Sequence, residues 1–427
     1  MRRTTILGIA LGLIAIGLLF RFSLMTYALY AMALAYIASV TLARSSLSGL
    51  RCIRRIDTDR AEIGDSLEIR AQLHNQKLLP VLWVLVEEVV PQRLGRKGDF
   101  VKLFMLPPNS VRTLDYTLTF TCRGYHQVGP VILESGDLFG FVRHLRTARH
   151  AHYITVRPKP VPIARYDAIT HRPIGDVKVR RQIFEDPTRL AGVRPYQDGD
   201  PLNRIHWKTT ARTGELHTRV YENTVLMGAT LVVDFHEPAY GETRTEERSE
   251  LAITTAASLA AYLVEMKQTV ALLSNGLDAA ERVKREEGSE ESGSRREARV
   301  LARHREGEDR LRPVQVEPGR GAAQAGQILD SLARLELSEG MPLERMIREE
   351  AQGLSRDLSL VLITPSLGRS LLQSVARLRF WGFLVTVLLV DNPEHMESAG
   401  PVLRAEGVQV LHVRDPEDLR SIAGGAV

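Results

Sequence analysis

The stretch from Gly192 to Tyr221 holds the side chains best suited to chemistry, because acids, bases and aromatic residues are densest there. Asp198, Asp200 and His206 supply two carboxylates and an imidazole, the groups that general acid–base catalysis uses. Four arginines surround them in the sequence: Arg194, Arg204, Arg212 and Arg219. This mixture suits a recognition surface, a hydrolytic centre or an internal lattice of salt bridges, and no adjacent Ser-His or Cys-His arrangement chooses among them.

Local sequence signals indicate the elements that position these residues. Asp200 followed by Pro201 predicts a helix start, since an aspartate caps free amides and proline is tolerated at the first helical position. The helix is predicted to run through Trp207, with its apolar side buried and its charged side exposed. Thr213-Gly214 then predicts a turn, and the alternating residues 216–221 predict a strand.

The order and spacing of this segment resemble the signature of a bacterial family, domain of unknown function 58. The residues that carry the resemblance are Tyr196, Gly199, Asp200, Arg204, Ile205, His206, Trp207, Ala211, Arg212, Gly214, Glu215 and Leu216. Members of that family resemble each other in having paired membrane helices, a β-rich domain, this signature and a von Willebrand factor A-like domain. They also look like companions of MoxR-type AAA+ ATPases, so the resemblance implies such an ATPase as a protein partner.

The resemblance gives the signature residues a role in partner binding and assigns no catalytic residue. The residues expected to take that role are Arg194, Tyr196, Asp198, Gly199, Asp200, Arg204, His206, Trp207 and Arg212. The rival interpretation is an enzyme, a hydrolase or transferase acting on a cell-envelope intermediate, with His206 as base and Asp198 or Asp200 orienting it. Convergence of these groups in an open cleft would favour the enzyme.

Two apolar runs open the chain, Ile6–Phe20 and Leu24–Ala43, separated by Arg21-Phe22-Ser23. Each approaches the ~20 residues that a membrane helix needs, and together they exceed the ~7–15 apolar residues of a signal peptide. The sequence therefore predicts a two-helix membrane anchor. Arginines lie mainly outside the pair, which predicts a multi-pass protein of the inner (plasma) membrane whose soluble domains are cytoplasmic.

Composition is consistent with more than one soluble domain. The chain has 427 residues, 44% of them hydrophobic, and its net charge of +5 is too mild and scattered to argue for a nucleic-acid partner. Cys52 and Cys122 match no zinc pattern, and two cysteines in a chain this long suggest a reducing compartment.

Changes in hydrophobic period predict a multidomain fold: the helical hairpin (1–46), an all-β, Ig-like sandwich (47–163), the signature segment (164–225) and an α/β domain (226–427). Alternating stretches such as Leu67–Leu73 and Thr113–Thr121 predict the sandwich strands. Beyond residue 226, short apolar runs alternate with helical stretches, which predicts a doubly wound parallel sheet and supports the von Willebrand A-like domain that the resemblance implies. Residues 281–312, rich in charge, predict a flexible insertion.

The carboxyl ends of such strands are where ligands of doubly wound sheets gather. Asp234, Glu237 and Asp391 are candidate oxygen ligands for a divalent ion there. The metal-binding von Willebrand A pattern Asp-x-Ser-x-Ser is replaced by Asp234-Phe235-His236-Glu237-Pro238, which removes two oxygen ligands. We therefore expect no cofactor, with Mg²⁺ as the weak alternative. The function predicted overall is an adaptor or scaffold that presents its α/β domain to a protein partner.

Overall fold

The computed structural model describes residues 23–137, 143–147, 151–163, 185–197, 205–223, 228–290 and 312–421, together with positions 12 and 15. The chain divides into two compact units, Met1–Pro158 and Lys159–Val427. The finer division predicted at residues 46, 163 and 225 stays a prediction.

Helix α1 (Ser23–Ser46) covers the second predicted membrane segment. No helix in the described part of the chain is both long enough and apolar enough to cross a bilayer. The predicted transmembrane helical hairpin and the multi-pass location in the plasma membrane are therefore wrong, while the first apolar run, 6–20, lies almost wholly outside the described residues. The prediction counted apolar residues, whereas α1 also carries polar ones such as Tyr27, Tyr36 and Ser39.

The last turns of α1 are tied to the β-rich part of the first unit. Buried Ser39 donates its hydroxyl to the Asp137 carboxylate at 3.2 Å. Lys77 donates its ammonium to the carbonyl of Ser45 and, at 2.9 Å, to that of Ser46. The two bonds from Lys77 satisfy carbonyls that a helix end leaves without partners. Part of the surface of α1, which the sequence analysis expected to face lipid, therefore contacts protein instead.

Strands β1 to β11 build the rest of the first unit. They are β1 (Leu50–Arg55), β2 (Arg60–Glu62), β3 (Ser66–Asn75), β4 (Val81–Glu88), β5 (Gly95–Gly98), β6 (Val101–Leu106), β7 (Val111–Thr119), β8 (Gly124–Val128), β9 (Val131–Gly136), β10 (Arg143–Thr147) and β11 (His152–Arg157). Among the described residues they form sheets in the orders β1-β3-β7-β5, β10-β9-β4-β6 and β2-β11-β8. The first two are antiparallel throughout.

Period-two alternation explains why this region forms sheets. Successive side chains of a strand point to opposite faces, so alternate apolar residues give a strand one buried face. Ile69 and Leu73 of β3, Leu114 of β7, and Val84 and Val86 of β4 all bury in a single core. The β-sandwich content predicted for this region is confirmed.

A buried ion pair crosses the core of the first unit. Arg54 of β1 and Glu88 of β4 contact each other with side chains 3% and 0% exposed, and Arg54 Nη1 also donates to the Val128 carbonyl at 2.9 Å. Burial raises the pKa of Glu88, although the Arg54 charge lowers it. Gly129, with φ of +92°, lies so close that an added Cβ would meet Arg54 Nη2 at 2.2 Å. The guanidinium therefore fills a space shaped by a glycine.

The second unit begins with chain that packs on an α/β core. Val161 donates its N–H to Ser258 Oγ at 2.9 Å, and Ile163 is buried in that core. Strands β12 (Glu185–Pro195) and β13 (His217–Asn223) then pair antiparallel, with helix α2 (Trp207–Thr213) between them in sequence.

A mixed sheet forms the centre of the second unit. Its strands are β14 (Gly228–Val233), β15 (Thr269–Ser274), β17 (Val314–Gly319), β19 (Ser359–Thr364), β20 (Val385–Val390) and β21 (Gln409–Val413), while β16 (Leu277–Asp278) pairs with β18 (Leu335–Glu336). Within the described residues the order is β17-β15-β14-β19-β20-β21. All neighbours are parallel except β17, which runs antiparallel to β15. Parallel strands occur at the predicted apolar runs, but the antiparallel edge was not predicted.

Helices cover both faces of this sheet. They are α3 (Glu237–Tyr240), α4 (Thr245–Glu265), α5 (Ala279–Glu290), α6 (Ala322–Arg334), α7 (Leu343–Glu350), α8 (Arg369–Phe380), α9 (Pro393–Ser398) and α10 (Gly400–Ala405), followed by a 3₁₀ turn at Asp418–Ser421. Leu231 and Val233 of β14 join one core cluster and Val232 joins the other. Because these strands are buried on both faces, their sequences are continuous apolar runs.

The flexible insertion predicted at 281–312 overlaps a helix, and its flexibility stays a prediction. Residues up to Glu290 belong to α5, and 291–311 lie outside the described residues. Asp278 starts this helix by accepting the Ala280 N–H at 2.8 Å, and Arg282 pairs with Glu336 at 2.9 Å. These contacts hold the start of the helix.

We predict that the Arg54–Glu88 pair behaves as a unit. Glu88→Leu should destabilise the chain by about 3–5 kcal/mol, because it leaves Arg54 buried without a counter-charge, and Arg54→Met should do the same. The double variant should lose less stability than either single variant. The measurement is the midpoint of guanidinium-induced unfolding of the full chain.

The matched control is the exposed pair Arg70–Asp115, which joins β3 and β7 at 2.8 Å. Its double replacement by Met and Leu should change the midpoint little, since exposed pairs contribute little. Additive losses from Arg54→Met and Glu88→Leu would contradict the prediction.

Candidate functional site

The signature segment is held by main-chain pairing of β12 with β13. Arg194 lies opposite Thr218, and Tyr196 donates its N–H to the Leu216 carbonyl at 2.8 Å. Arg194 Nη1 contacts the carbonyl of its own neighbour, Pro195, at 3.1 Å. The hairpin therefore fixes the base of the segment. Four residues predicted for the site lie outside the described residues: Asp198, Gly199, Asp200 and Arg204.

His206 caps helix α2. Its Nδ1 accepts the Thr209 N–H at 3.2 Å and bonds Thr209 Oγ1 at 2.8 Å, and its own N–H donates to the His217 carbonyl at 2.8 Å. Because Nδ1 accepts a main-chain N–H, the proton of the neutral ring lies on Nε2. The helix begins at Trp207, where the predicted helix was expected to end. The predicted cap, Asp200, lies outside the described residues, and a histidine, a less usual capping residue, caps the helix that begins at Trp207.

Helix α2 displays an aromatic and a cationic side chain. Trp207 is 65% exposed, and Arg212 is exposed in the last turn. Gly214 ends the helix in the left-handed conformation (φ 78°), donating its N–H to the Thr210 carbonyl at 2.9 Å, so the predicted turn is confirmed. Leu216 follows, 44% exposed. We call Trp207, Arg212 and Leu216 the signature surface.

The carboxyl ends of β14, β15 and β19 meet in a second polar cluster. Asp234, only 3% exposed, accepts from the Asn275 amide at 3.0 Å through Oδ1 and from the Thr364 hydroxyl at 2.9 Å through Oδ2. Asn275 in turn accepts the Phe235 N–H at 2.6 Å and donates to the Met341 carbonyl at 2.9 Å. The cluster lies between β14 and β19, where the strand order reverses and ligands of such sheets bind.

The other candidate metal ligands are engaged elsewhere or exposed. Asp391 pairs with Arg244 at 3.0 Å and with Arg248 at 3.5 Å, while the Glu237 side chain is exposed at the start of α3. Among the described residues no group of three or more His, Cys, Asp or Glu side chains is placed to hold a metal ion. The expectation that the protein needs no ion stays a prediction, which titration calorimetry with magnesium tests.

Sequence reasoning did not identify Asn275, the residue that joins Asp234 to two other segments. Its position was a usable signal, because it directly follows the apolar run of β15 and so lies at the same sheet edge as Asp234. Thr364 likewise ends the apolar run of β19 at this edge. What the sequence did not show is that both residues form hydrogen bonds with Asp234.

The bonding around Thr364 favours a neutral Asp234. The hydroxyl lies 2.9 Å from Asp234 Oδ2 and 3.0 Å from the Ser366 carbonyl, but it has one proton for the two acceptors. A protonated Asp234 supplies the missing proton, because it can donate to the hydroxyl and leave the hydroxyl proton to Ser366. In agreement, burial raises the pKa of Asp234.

A pH dependence of stability follows. The unfolded carboxyl ionises near pH 4, and the folded one ionises at higher pH, so its contribution is fully present below about pH 4 and is lost as pH rises through the folded pKa. Asp234→Asn keeps the shape without the charge. Its unfolding midpoint relative to the unsubstituted chain should therefore rise with pH above about 4 and then level off.

Denaturant unfolding at a series of pH values measures this difference, with Glu394→Gln, at an exposed carboxylate of the same unit, as the control. A constant difference between Asp234→Asn and the unsubstituted chain from pH 4 to pH 8 would show that Asp234 is ionised throughout.

The His206 cap generates a separate prediction. His206→Ala should cost about 1 kcal/mol, because it removes the acceptor of the Thr209 N–H, while His206→Asn should restore most of that loss. The readout is protection of the α2 amides in hydrogen exchange. Equal protection in both variants would show that the ring does not hold the helix.

Comparisons with known proteins fit the sequence resemblance. Residues 192–325 match the family model described as "Protein of unknown function DUF58". The chain is 26% identical over 207 residues to the "Uncharacterized protein YeaD" of Bacillus subtilis (strain 168), a match that covers 47% of this chain and 52% of that protein. The chain thus spans about half the length of this relative.

Solved structures are similar only over short parts. An alpha-2-macroglobulin fragment from Escherichia coli is 15% identical with a TM-score of 0.22, covering 26% of this chain and 16% of that one. The CARDB domain of the PF1109 protein from Pyrococcus furiosus is 16% identical with a TM-score of 0.20, covering 25% of this chain and 91% of that one. TM-scores of this size establish no shared overall fold. The comparisons thus support the DUF58 family for residues 192–325 of this chain.

Proposed function

We propose that this protein is an adaptor that binds a protein partner through the signature surface. The observation that carries the proposal is the exposure of Trp207 on an ordered helix, because a large apolar side chain left 65% exposed costs free energy unless a partner covers it. Arg212 and Leu216 extend the surface with a cation and a second apolar side chain.

The composition of this surface suits an interface. Trp and Arg are the residue types most enriched among those that dominate binding energy. The helix is fixed at both ends, by the His206 cap and by Gly214, so its side chains lose less conformational entropy on binding than they would on a flexible loop. The signature surface is therefore already organised before a partner arrives.

The family resemblance supplies the candidate partner, a MoxR-type AAA+ ATPase. Proteins with von Willebrand A-like domains often serve as adaptors for such machines, and the mixed sheet of the second unit supports that likeness. Numbered along the chain, its strands follow the order 3-2-1-4-5-6 of a doubly wound sheet. Asp198, Asp200 and Arg204 are expected to take part as well.

The Asp234 cluster supports a binding role for this unit over catalysis at the sheet edge. Both oxygens of the Asp234 carboxyl group form hydrogen bonds within the protein itself, and the side chain is almost wholly buried. A catalytic carboxylate must instead reach its substrate within about 3 Å. Asp234 thus has a structural role in this proposal, because it joins the ends of three strands.

The test is a binding measurement between the purified chain and a MoxR-type ATPase with ATP present. Trp207→Ala should weaken binding at least about tenfold, as expected for a central aromatic contact. Its fold should be unaffected because the indole is mostly exposed. Circular dichroism and the unfolding midpoint check this.

Trp381→Ala is the matched control, since Trp381 is the other partly exposed tryptophan of the second unit, at 39%. Affinity within twofold of the unsubstituted chain for Trp207→Ala, or a larger loss for Trp381→Ala, would refute the assignment of this surface. Failure of the unsubstituted chain to bind any MoxR-type ATPase would refute the choice of partner.

A further inference from the structure

A cleft in the first unit lies between the edges of its two antiparallel sheets. Strands β1, β9 and β10 and the start of β11 line it, and β1 and β10 are each the outermost strand of their sheet. Its volume is about 760 Å³. Sites for small molecules usually occupy 300–1,000 Å³, so the cleft is large enough for such a ligand.

The lining of the cleft combines an apolar floor with a cationic rim. Leu50 and Leu133 are buried beneath it, whereas Arg51, Arg146 and His152 are exposed around it. Among the described residues that line the cleft, none is acidic. A third arginine of the lining, Arg54, is paired with Glu88, so the charge available to a ligand comes from Arg51 and Arg146.

Arg146 is held in place by main-chain oxygens. Its Nη1 donates to the carbonyls of Leu47 at 2.9 Å and Leu50 at 3.2 Å. Within the described residues its Nε and Nη2 have no hydrogen-bond partner, and neither does the Arg51 guanidinium. Two guanidinium groups with donors to spare therefore line one cleft, and guanidinium forks match carboxylate and phosphate oxygens.

The same contact argues against an added peptide strand. An exposed edge strand can accept another strand through its free carbonyls and N–H groups. At the edge of β1, however, the Leu50 carbonyl already accepts from Arg146, which blocks that end of the edge. The space beside it suits a compact molecule better than an extended chain.

We propose that this cleft binds a small amphipathic organic anion, with an acidic head on an apolar body. The head, a carboxylate, phosphate or sulfonate, pairs with Arg51 and Arg146. The body covers the apolar floor at Leu50 and Leu133. This site belongs to the first unit and is independent of the partner surface proposed for the second.

Two fluorescent probes test the proposal on the full chain. 8-Anilinonaphthalene-1-sulfonate is an aromatic anion, and N-phenyl-1-naphthylamine has the same rings without the sulfonate. The anion should bind saturably and at least about tenfold more tightly than the neutral probe, as expected for one charge-assisted contact. Arg51→Gln should weaken binding of the anion by about the same factor and leave the affinity for the neutral probe unchanged. Arg51→Lys should restore part of the affinity for the anion.

A second variant locates the binding. Thr147 is an exposed lining residue, so Thr147→Trp should fill the cleft without disturbing the core and weaken both probes. Arg70→Gln, at an exposed arginine of β3 outside the cleft, should change neither. Equal affinity for the two probes, or an anion affinity that stays within twofold in both Arg51→Gln and Thr147→Trp, would overturn the proposal. So would the absence of binding to the unsubstituted chain.

Discussion

A buried polar group must find a partner inside the protein, and this requirement organises both units. In the second unit the Asp234 carboxyl joins the ends of β14, β15 and β19, because its partners Asn275 and Thr364 follow the other two strands. In the first unit the ion pair between Glu88 and Arg54 joins β4 to β1. Leaving such a group without its partner costs far more than an exposed pair contributes, so these contacts fix the strand ends around them.

The arginines show how one residue type serves three purposes in the first unit. Arg54 is internal and compensates a buried acid, and Arg146 closes the free end of β1 by taking up its carbonyls. Arg51 has no such partner among the described residues and borders the cleft. The net charge of the chain does not distinguish these three roles, because it counts every arginine equally. It is the burial and the bonded partners of each guanidinium that separate structural roles from a binding role.

The sequence was most informative where one local pattern decides the structure. Alternation predicted the strands of the sandwich, and the run Ala229–Val233 lies within β14 because a strand covered on both faces must be apolar throughout. Apolar length alone misled at α1, since the same residues can contact protein.

Long-range pairing was beyond the reach of sequence patterns. Asn275 and Thr364 lie 41 and 130 residues from Asp234, so no local window contains the cluster. The antiparallel β17 was missed because a short edge strand needs only modest apolar content. For the signature segment, the predicted helix start at Asp200 and Pro201 lies outside the described residues, and the helix that begins at Trp207 is capped by the bond from Thr209 to His206.

Exposure and order together distinguish the signature surface from the polar cluster of the same unit. Asp234, Asn275 and Thr364 satisfy one another and are buried, so they have little left to offer a ligand. Trp207 is held on a capped helix yet remains largely uncovered. Because the capped helix already orders the exposed indole, a partner could cover Trp207 without first fixing its backbone, which agrees with the adaptor role proposed above.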